Sequence, residues 1–228
     1  MEKIQIRDAG VSEDDAAFIV EAFDSTLPHL TAIGSSGMWG LTPFSQKDGF
    51  TEETIKDVRD SCTHRLTGEG EALRIFIAEV EVSRSDDETP HAGLRFRTDD
   101  NGTRYLSVGA AFVRENWVPG HLEAQFHVDG IRAELEGRED FVFLDVLVTD
   151  YRAGELRKGA GEVLMKKAGE FGVERGKKVL YLDAWSGNER KLVRFYEQRG
   201  FNVVAEFEIN RANGTTWPGA LLKRELLD

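Results

Sequence analysis

The sequence predicts an α/β (α+β) protein built on a central mixed sheet. Three observations carry this. The apolar run FVFLDVLVT at 141–149 leads through a glycine-bearing turn into a long amphipathic segment. A second strand at 178–183 is followed by a helix that stops at Gly200, and then by strands at 201–209 and 217–226. Upstream, the hydrophobic period changes from helical to alternating near residue 73. Strand, helix, strand, helix and hairpin in that order call for a sheet with helices against it.

The elements follow in turn. Ile4 to Arg7 alternate apolar and polar and predict an opening strand. Ser12 with the acids after it is a helix start, and Ala16, Phe18, Ile19, Ala22 and Phe23 supply one apolar face. Residues 34–50, rich in Gly, Ser and Pro, predict a loop, and a second helix is expected from Glu52 to His64. Leu73 to Val82 is a strand, and Ser85 to Pro90 a polar loop. Leu94–Thr98 and Arg104–Val113 flank Asp100-Asn101-Gly102, which predicts a hairpin turn. Residues 117–140 are expected to be irregular with a short helix. A helix is expected over Arg157–Arg175 and another over Glu189–Gln198, the latter ended by Gly200 as a C-cap. Asn213-Gly214 should turn the last hairpin.

Composition narrows the function. The 228 residues are 40% hydrophobic and 31% charged, enough for one good core, so the chain is read as a single domain, 1–228. No run is long enough to span a bilayer, and the charged start MEKIQIRDAG lacks the apolar stretch of a signal peptide, so a cytoplasmic protein is expected. Cys62 is the sole cysteine, which excludes an internal disulfide. It lies two residues from His64, and such neighbours do not face each other on a helix, so a cysteine nucleophile is not expected. A net charge of −12 disfavours general nucleic-acid binding; it is a solubilising surface or a field that favours a cationic substrate.

The chemistry concentrates in residues 141–168. Gly159 and Gly161 stand where a strand-and-turn enters a helix, with Arg157 and Lys158 beside them. A helix start offers unpaired N–H groups and a positive dipole end, and glycines let a bulky anion approach the backbone. Gly154 and Gly159 have the spacing of a Walker loop, but Ala160-Gly161 replaces Lys-Ser/Thr, which removes nucleotide hydrolysis. A Rossmann fingerprint is absent from this segment.

Val148, Tyr151-Arg152 and Leu156-Arg157-Lys158-Gly159-Ala160-Gly161, taken with Phe195-Tyr196-Glu197-Gln198-Arg199-Gly200-Phe201, resemble the two signatures of the GNAT family of acetyl-CoA-dependent N-acetyltransferases. The resemblance implies a mostly antiparallel twisted sheet flanked by helices, with a helical N-terminal part, residues 1–70, on the acceptor side. It places the acetyl-CoA-binding core in 141–210. The pyrophosphate of coenzyme A would lie on Arg157, Lys158, Gly159, Ala160 and Gly161. Backbone groups of Leu147 and Val148 would meet the acyl and pantetheine parts. Leu156 stands where the family has Arg or Gln, the turn from Arg152 to Gly159 is longer than usual, and Glu162 is an acid beside the loop.

The same resemblance gives Tyr196 the role of the acid that protonates the departing thiolate; the alternative is a packed aromatic. Asp145, inside an otherwise apolar strand, would take the amine proton, orient a water or bind the amine; the alternative is an edge carboxylate paired with a neighbour. Asp183 in VLYLDAW poses the same question. Asn188 either bonds the coenzyme or caps its helix. Trp39, Trp117, Trp185 and Trp217 line an acceptor pocket or belong to the core. His121 and His127 are expected to be surface or loop residues, without metal spacing around Glu123. The expected activity is acetyl transfer from acetyl-CoA to a primary amine, that of a small molecule, by direct attack in a ternary complex. A non-catalytic acyl-CoA sensor is the alternative. No metal, nucleic acid or membrane partner is expected, and a homodimer is left open.

Overall fold

The computed structural model describes residues 4–82, 93–211 and 214–226. The polar loop expected at 85–90 and Asn213 of the expected last turn lie outside the described residues. Among the described residues there are eight strands: β1 (Ile4–Asp8), β2 (Leu73–Glu81), β3 (Phe96–Thr98), β4 (Arg104–Glu115), β5 (Phe141–Thr149), β6 (Val179–Trp185), β7 (Asn202–Asn210) and β8 (Thr216–Glu225). The helices are α1 (Asp15–Ala32), α2 (Phe50–Thr67), α3 (Gly120–Glu123), α4 (Asp129–Leu135), α5 (Ala160–Glu174) and α6 (Gly187–Glu197). Sheet order is β1-β2-β4-β5-β6-β8-β7, with β3 beside β4. Pairing is antiparallel for β1/β2, β3/β4, β6/β8 and β7/β8, and parallel for β5/β6. This is the expected mixed, mostly antiparallel sheet with helices. No helix of the described residues is long and apolar enough to cross a membrane.

The chain divides into two compact units. One runs to His29 and takes in Leu41–Phe112 and Val146–Lys167; the other takes in Leu30–Gly40, Val113–Asp145 and the chain from Ala168 on.

In the first unit, β1 pairs with β2 from Ile4↔Val80 to Asp8↔Phe76. α2 is tied to β2 where the buried Ser61 hydroxyl accepts the N–H of Ile75 at 2.8 Å. Leu73, Ile75, Ile77, Leu106 and Val108 are fully buried. Among them sits a carboxylate, Glu79, with 0% of its side chain exposed. It accepts from Arg7 Nε at 2.5 Å and from Arg97 at 2.6 to 3.0 Å. Arg7 also grips Asp15 with both terminal nitrogens, at 2.8 and 2.6 Å. The expected hairpin turn is present: Asp99 accepts the N–H groups of Asn101 and Thr103 at 3.0 and 2.8 Å, and Gly102 has φ +79°.

In the second unit, Leu122, Ile131 and Leu135 from α3 and α4 pack with Phe141, Phe143, Val179, Tyr181, Phe207 and Leu221 of the strands. The stretch read as irregular thus supplies two short helices to a core. The buried Tyr181 donates to Glu134 at 2.5 Å and accepts from Arg138 at 2.8 Å, so its hydroxyl is satisfied on both sides.

Candidate functional site

The anion-binding candidate lies in the first unit. β5 ends at Thr149, a tight turn occupies Tyr151–Arg157, and α5 begins at Ala160. The helix therefore starts three residues later than expected. Asp150, fully buried, caps the turn by accepting the N–H of Arg152 at 3.0 Å and holds the same residue's guanidinium at 2.6 Å. The extra length of the loop goes into this turn, with Gly154 at φ +53°. Gly159 has φ +88°, a conformation that penalises any Cβ, and Gly161 has open space where a Cβ would stand. The N–H groups of Glu162 and Val163 bond to Gly159 O at 3.1 Å, so these two are committed, and the amides that precede them, of Ala160 and Gly161, are the ones at the α5 entrance.

The Arg157 guanidinium carbon sits over Tyr151, 3.6 Å from the ring centre, and His29 stacks on the same residue at 4.3 Å. Burial and the Arg157 charge hold the His29 imidazole below its usual range. Arg157 Nη1 reaches Thr149 at 3.4 Å, but its Nε is buried with no hydrogen-bond partner. An unused buried donor on a guanidinium fits an anion. Lys158, by contrast, is exposed and pairs with Glu155 at 2.7 Å. Val148 is buried with its carbonyl close against Gly109, and Leu147 is half-buried.

The second unit holds the polar cluster. β5 and β6 pair at Phe141↔Val179, Val142↔Leu180 and Phe143↔Tyr181, and the pairing ends there. β6 keeps β8 as partner through Trp185↔Gly219. Asp145 accepts from Arg114 Nε at 3.0 Å. Arg114 in turn stacks on Trp117 at 4.8 Å. The carboxylate is thus paired with Arg114, the geometry that the alternative reading of Asp145 expected.

Asp183, the other strand carboxylate, sits 3.2 Å from His121 Nε2. His121 is exposed, as expected, and its contact with Asp183 adds a partner that the sequence did not disclose. Burial would lower its pKa, but the hydrogen bond and charge of Asp183, with the charge of Asp145, raise it. Sequence reasoning missed this pair because the two residues are 62 positions apart. Only the acid's place in an apolar strand signalled half of it.

Tyr196, on α6, is 8% exposed, with Phe195 and Phe201 edge-on at 5.2 and 5.8 Å. Its hydroxyl makes no hydrogen bond among the described residues. Burial, then the negative charge of Asp183, push its pKa far up, so it stays protonated. Trp185 is buried against Gly37 and Gly187, and Trp217 Nε1 donates to Met38 O at 2.9 Å, so both tryptophans serve packing.

Asn188 does not cap α6. Ser186 occupies that position without a side-chain bond, and Asn188, Glu189 and Arg190 all have left-handed φ, +50°, +56° and +60°. The Asn188 amide donates to Ile33 O at 2.8 Å and Ser35 Oγ at 2.7 Å, so both its hydrogens are committed inside the protein. Left-handed L-residues cost about 1–2 kcal/mol each and rarely follow one another. Glu189 is exposed. Glu189→Gly should therefore stabilise, despite sitting in a helix. The expected gain is ~1 kcal/mol, or about 2–4 °C in melting temperature for a chain of this size. A thermal melt checks this, and a lower midpoint would contradict it.

Comparison with known proteins adds the fold's relatives. No protein-family model and no curated protein matches the chain. Solved structures do. An N-acetyltransferase from Staphylococcus aureus Mu50 aligns over 99% of this chain and 99% of its own, at TM-score 0.56 and 14% identity. An acetyltransferase of the GNAT family from Streptococcus pneumoniae aligns over 98% and 99%, at 0.53 and 15%. A protein of Salmonella typhimurium, solved with its cofactor acetyl-CoA, aligns over 99% and 95%, at 0.55 and 17%. The class is thereby defined: this chain has the fold of the GNAT acetyltransferases.

Proposed function

We propose that the protein is an N-acetyltransferase that moves an acetyl group from acetyl-CoA to the primary amine of a small molecule. The observation that carries this reading is the α5 entrance with Arg157: a left-handed glycine, an open glycine and a buried guanidinium nitrogen without a partner. Gly159, Ala160 and Gly161 would cradle the pyrophosphate, Arg157 would bond it, and Lys158 would add charge from solvent. Leu147 would offer backbone groups to the thioester end, and Val148, whose carbonyl lies against Gly109, would pack beside it. In the reaction the amine nitrogen attacks the thioester carbon, the C–S bond breaks, and sulfur receives the Tyr196 proton. The amine proton leaves on the carboxylate side of the second unit, where Asp145 and Asp183 lie, or through water. Release of free thiol from acetyl-CoA over a panel of amines tests the proposal; no turnover and no coenzyme binding would sink it.

Gly161→Asp separates coenzyme binding from folding. The site is open, and an acid in the first turn of a helix is stabilising, so the fold should hold. The new carboxylate would compete with phosphate for the same amides. Titration calorimetry should show coenzyme A binding weakened by about 10- to 100-fold, equivalent to ~1.4–2.8 kcal/mol. A folded variant that binds as tightly as the parent removes residues 157–162 from the pyrophosphate site.

A further inference from the structure

We infer that His121, oriented by Asp183, takes the proton of the acceptor, and that the acceptor arrives as a cationic ammonium group. The inference rests on the acetyl-transfer reading and deepens it. Five features of the second unit carry it.

First, the Nε2 contact with Asp183 at 3.2 Å fixes the tautomer. A carboxylate accepts the Nε2–H, which leaves the lone pair on Nδ1. Second, His121 is 40% exposed at its side chain and has no other hydrogen-bond partner among the described residues. The ring is therefore partly open to solvent, with Nδ1 uncommitted. Third, the same Asp183 charge acts on the Tyr196 phenol, so one carboxylate serves the neighbourhood of both acid and base. Fourth, Asp145 already spends Oδ2 on Arg114, which is only 10% exposed. That leaves His121 as the better placed acceptor. Fifth, the charges that act on the imidazole are Asp183 from β6 and Asp145 from β5. Arg114 from β4 offsets one of them, and the β7 neighbour, Phe207, is uncharged at 6.3 Å. The surplus is negative, which favours a cation and the imidazolium that forms.

The proton balance closes. The ammonium gives one proton to His121 Nδ1, which makes the nitrogen nucleophilic. The second amine proton, released as the amide forms, replaces the one Tyr196 hands to sulfur. The imidazolium then returns its proton to water.

The test is the pH dependence of kcat/KM with an acceptor far more basic than histidine. A base must be neutral to act, so activity should rise with pH through a limb above about 6.5, the ordinary histidine value. Asp183→Asn removes the group that raises the pKa and should move the limb to lower pH. His121→Gln should abolish the limb and lower kcat/KM by about 10²–10⁴-fold, the usual range for a general base, with acetyl-CoA affinity unchanged. The NMR titration of the His121 ring in the free parent should match the kinetic limb and fall in Asp183→Asn. If the parent turns over and His121→Gln keeps its rate and its limb, the inference is overturned alone. If the parent acetylates no amine, the acetyl-transfer reading falls and takes this inference with it.

Discussion

Tyr196→Phe should lower kcat by about 10- to 10³-fold and leave coenzyme A affinity nearly unchanged, the signature of losing one acid–base group. The geometry makes this a clean substitution. The ring is held by Phe195 and Phe201, and phenylalanine keeps those contacts. The hydroxyl bonds to no described residue, so its removal leaves no protein group unsatisfied. The melting temperature should therefore stay within a degree or so, about the scatter of a neutral change. Because burial and Asp183 raise the phenol's pKa, the proton stays on through the working range. The parent should show no alkaline loss of kcat up to about pH 10, where an ordinary tyrosine would already be half ionised. Initial rates of thiol release measure both effects. An unchanged kcat, with chemistry rate-limiting, would take Tyr196 out of the mechanism.

Glu79→Ala is the substitution expected to cost most stability. The carboxylate is fully buried and holds Arg7 and Arg97, whose side chains are 10% and 19% exposed. Arg7 would keep Asp15, but Arg97 would lose all three of its bonds to Glu79. Breaking one side of a buried ion pair costs about 3–5 kcal/mol. At about 2–4 °C per kcal/mol for a chain of this size, the melting temperature should fall by ~6–20 °C. Glu79→Gln keeps one acceptor oxygen and the shape, and should lose less. A drop in the alanine variant of under ~1 kcal/mol, in the range of exposed pairs, would mean the network is solvated.

The elements whose cause is local were legible. β5 runs over the residues its apolar stretch predicts, and the Asp-Asn-Gly turn is where its side-chain chemistry requires it. The late start of α5 was not, because Asp150 organises a turn that the helical pattern does not disclose. The left-handed entry to α6 depends on bonds from Asn188 to Ile33 and Ser35, more than 150 residues away, and no local pattern carries that. Glu79 reads as an ordinary charged residue in a strand until Arg7 and Arg97 are brought to it. The candidate site divides the same way. The glycines and Tyr196 belong to contiguous motifs and could be picked out. His121 acquires its role only from a carboxylate on another strand, and Arg157's buried nitrogen only from the stack on Tyr151.

The early end of the β5–β6 pairing also has a consequence for exchange with solvent. Amides of Leu182–Trp185 that point to β8 are locked in a ladder, whereas those on the other side have no strand partner in β5. Within one strand, deuterium uptake should alternate between slow and fast residues, although most of the side chains there are buried. The strand thus carries a built-in reporter.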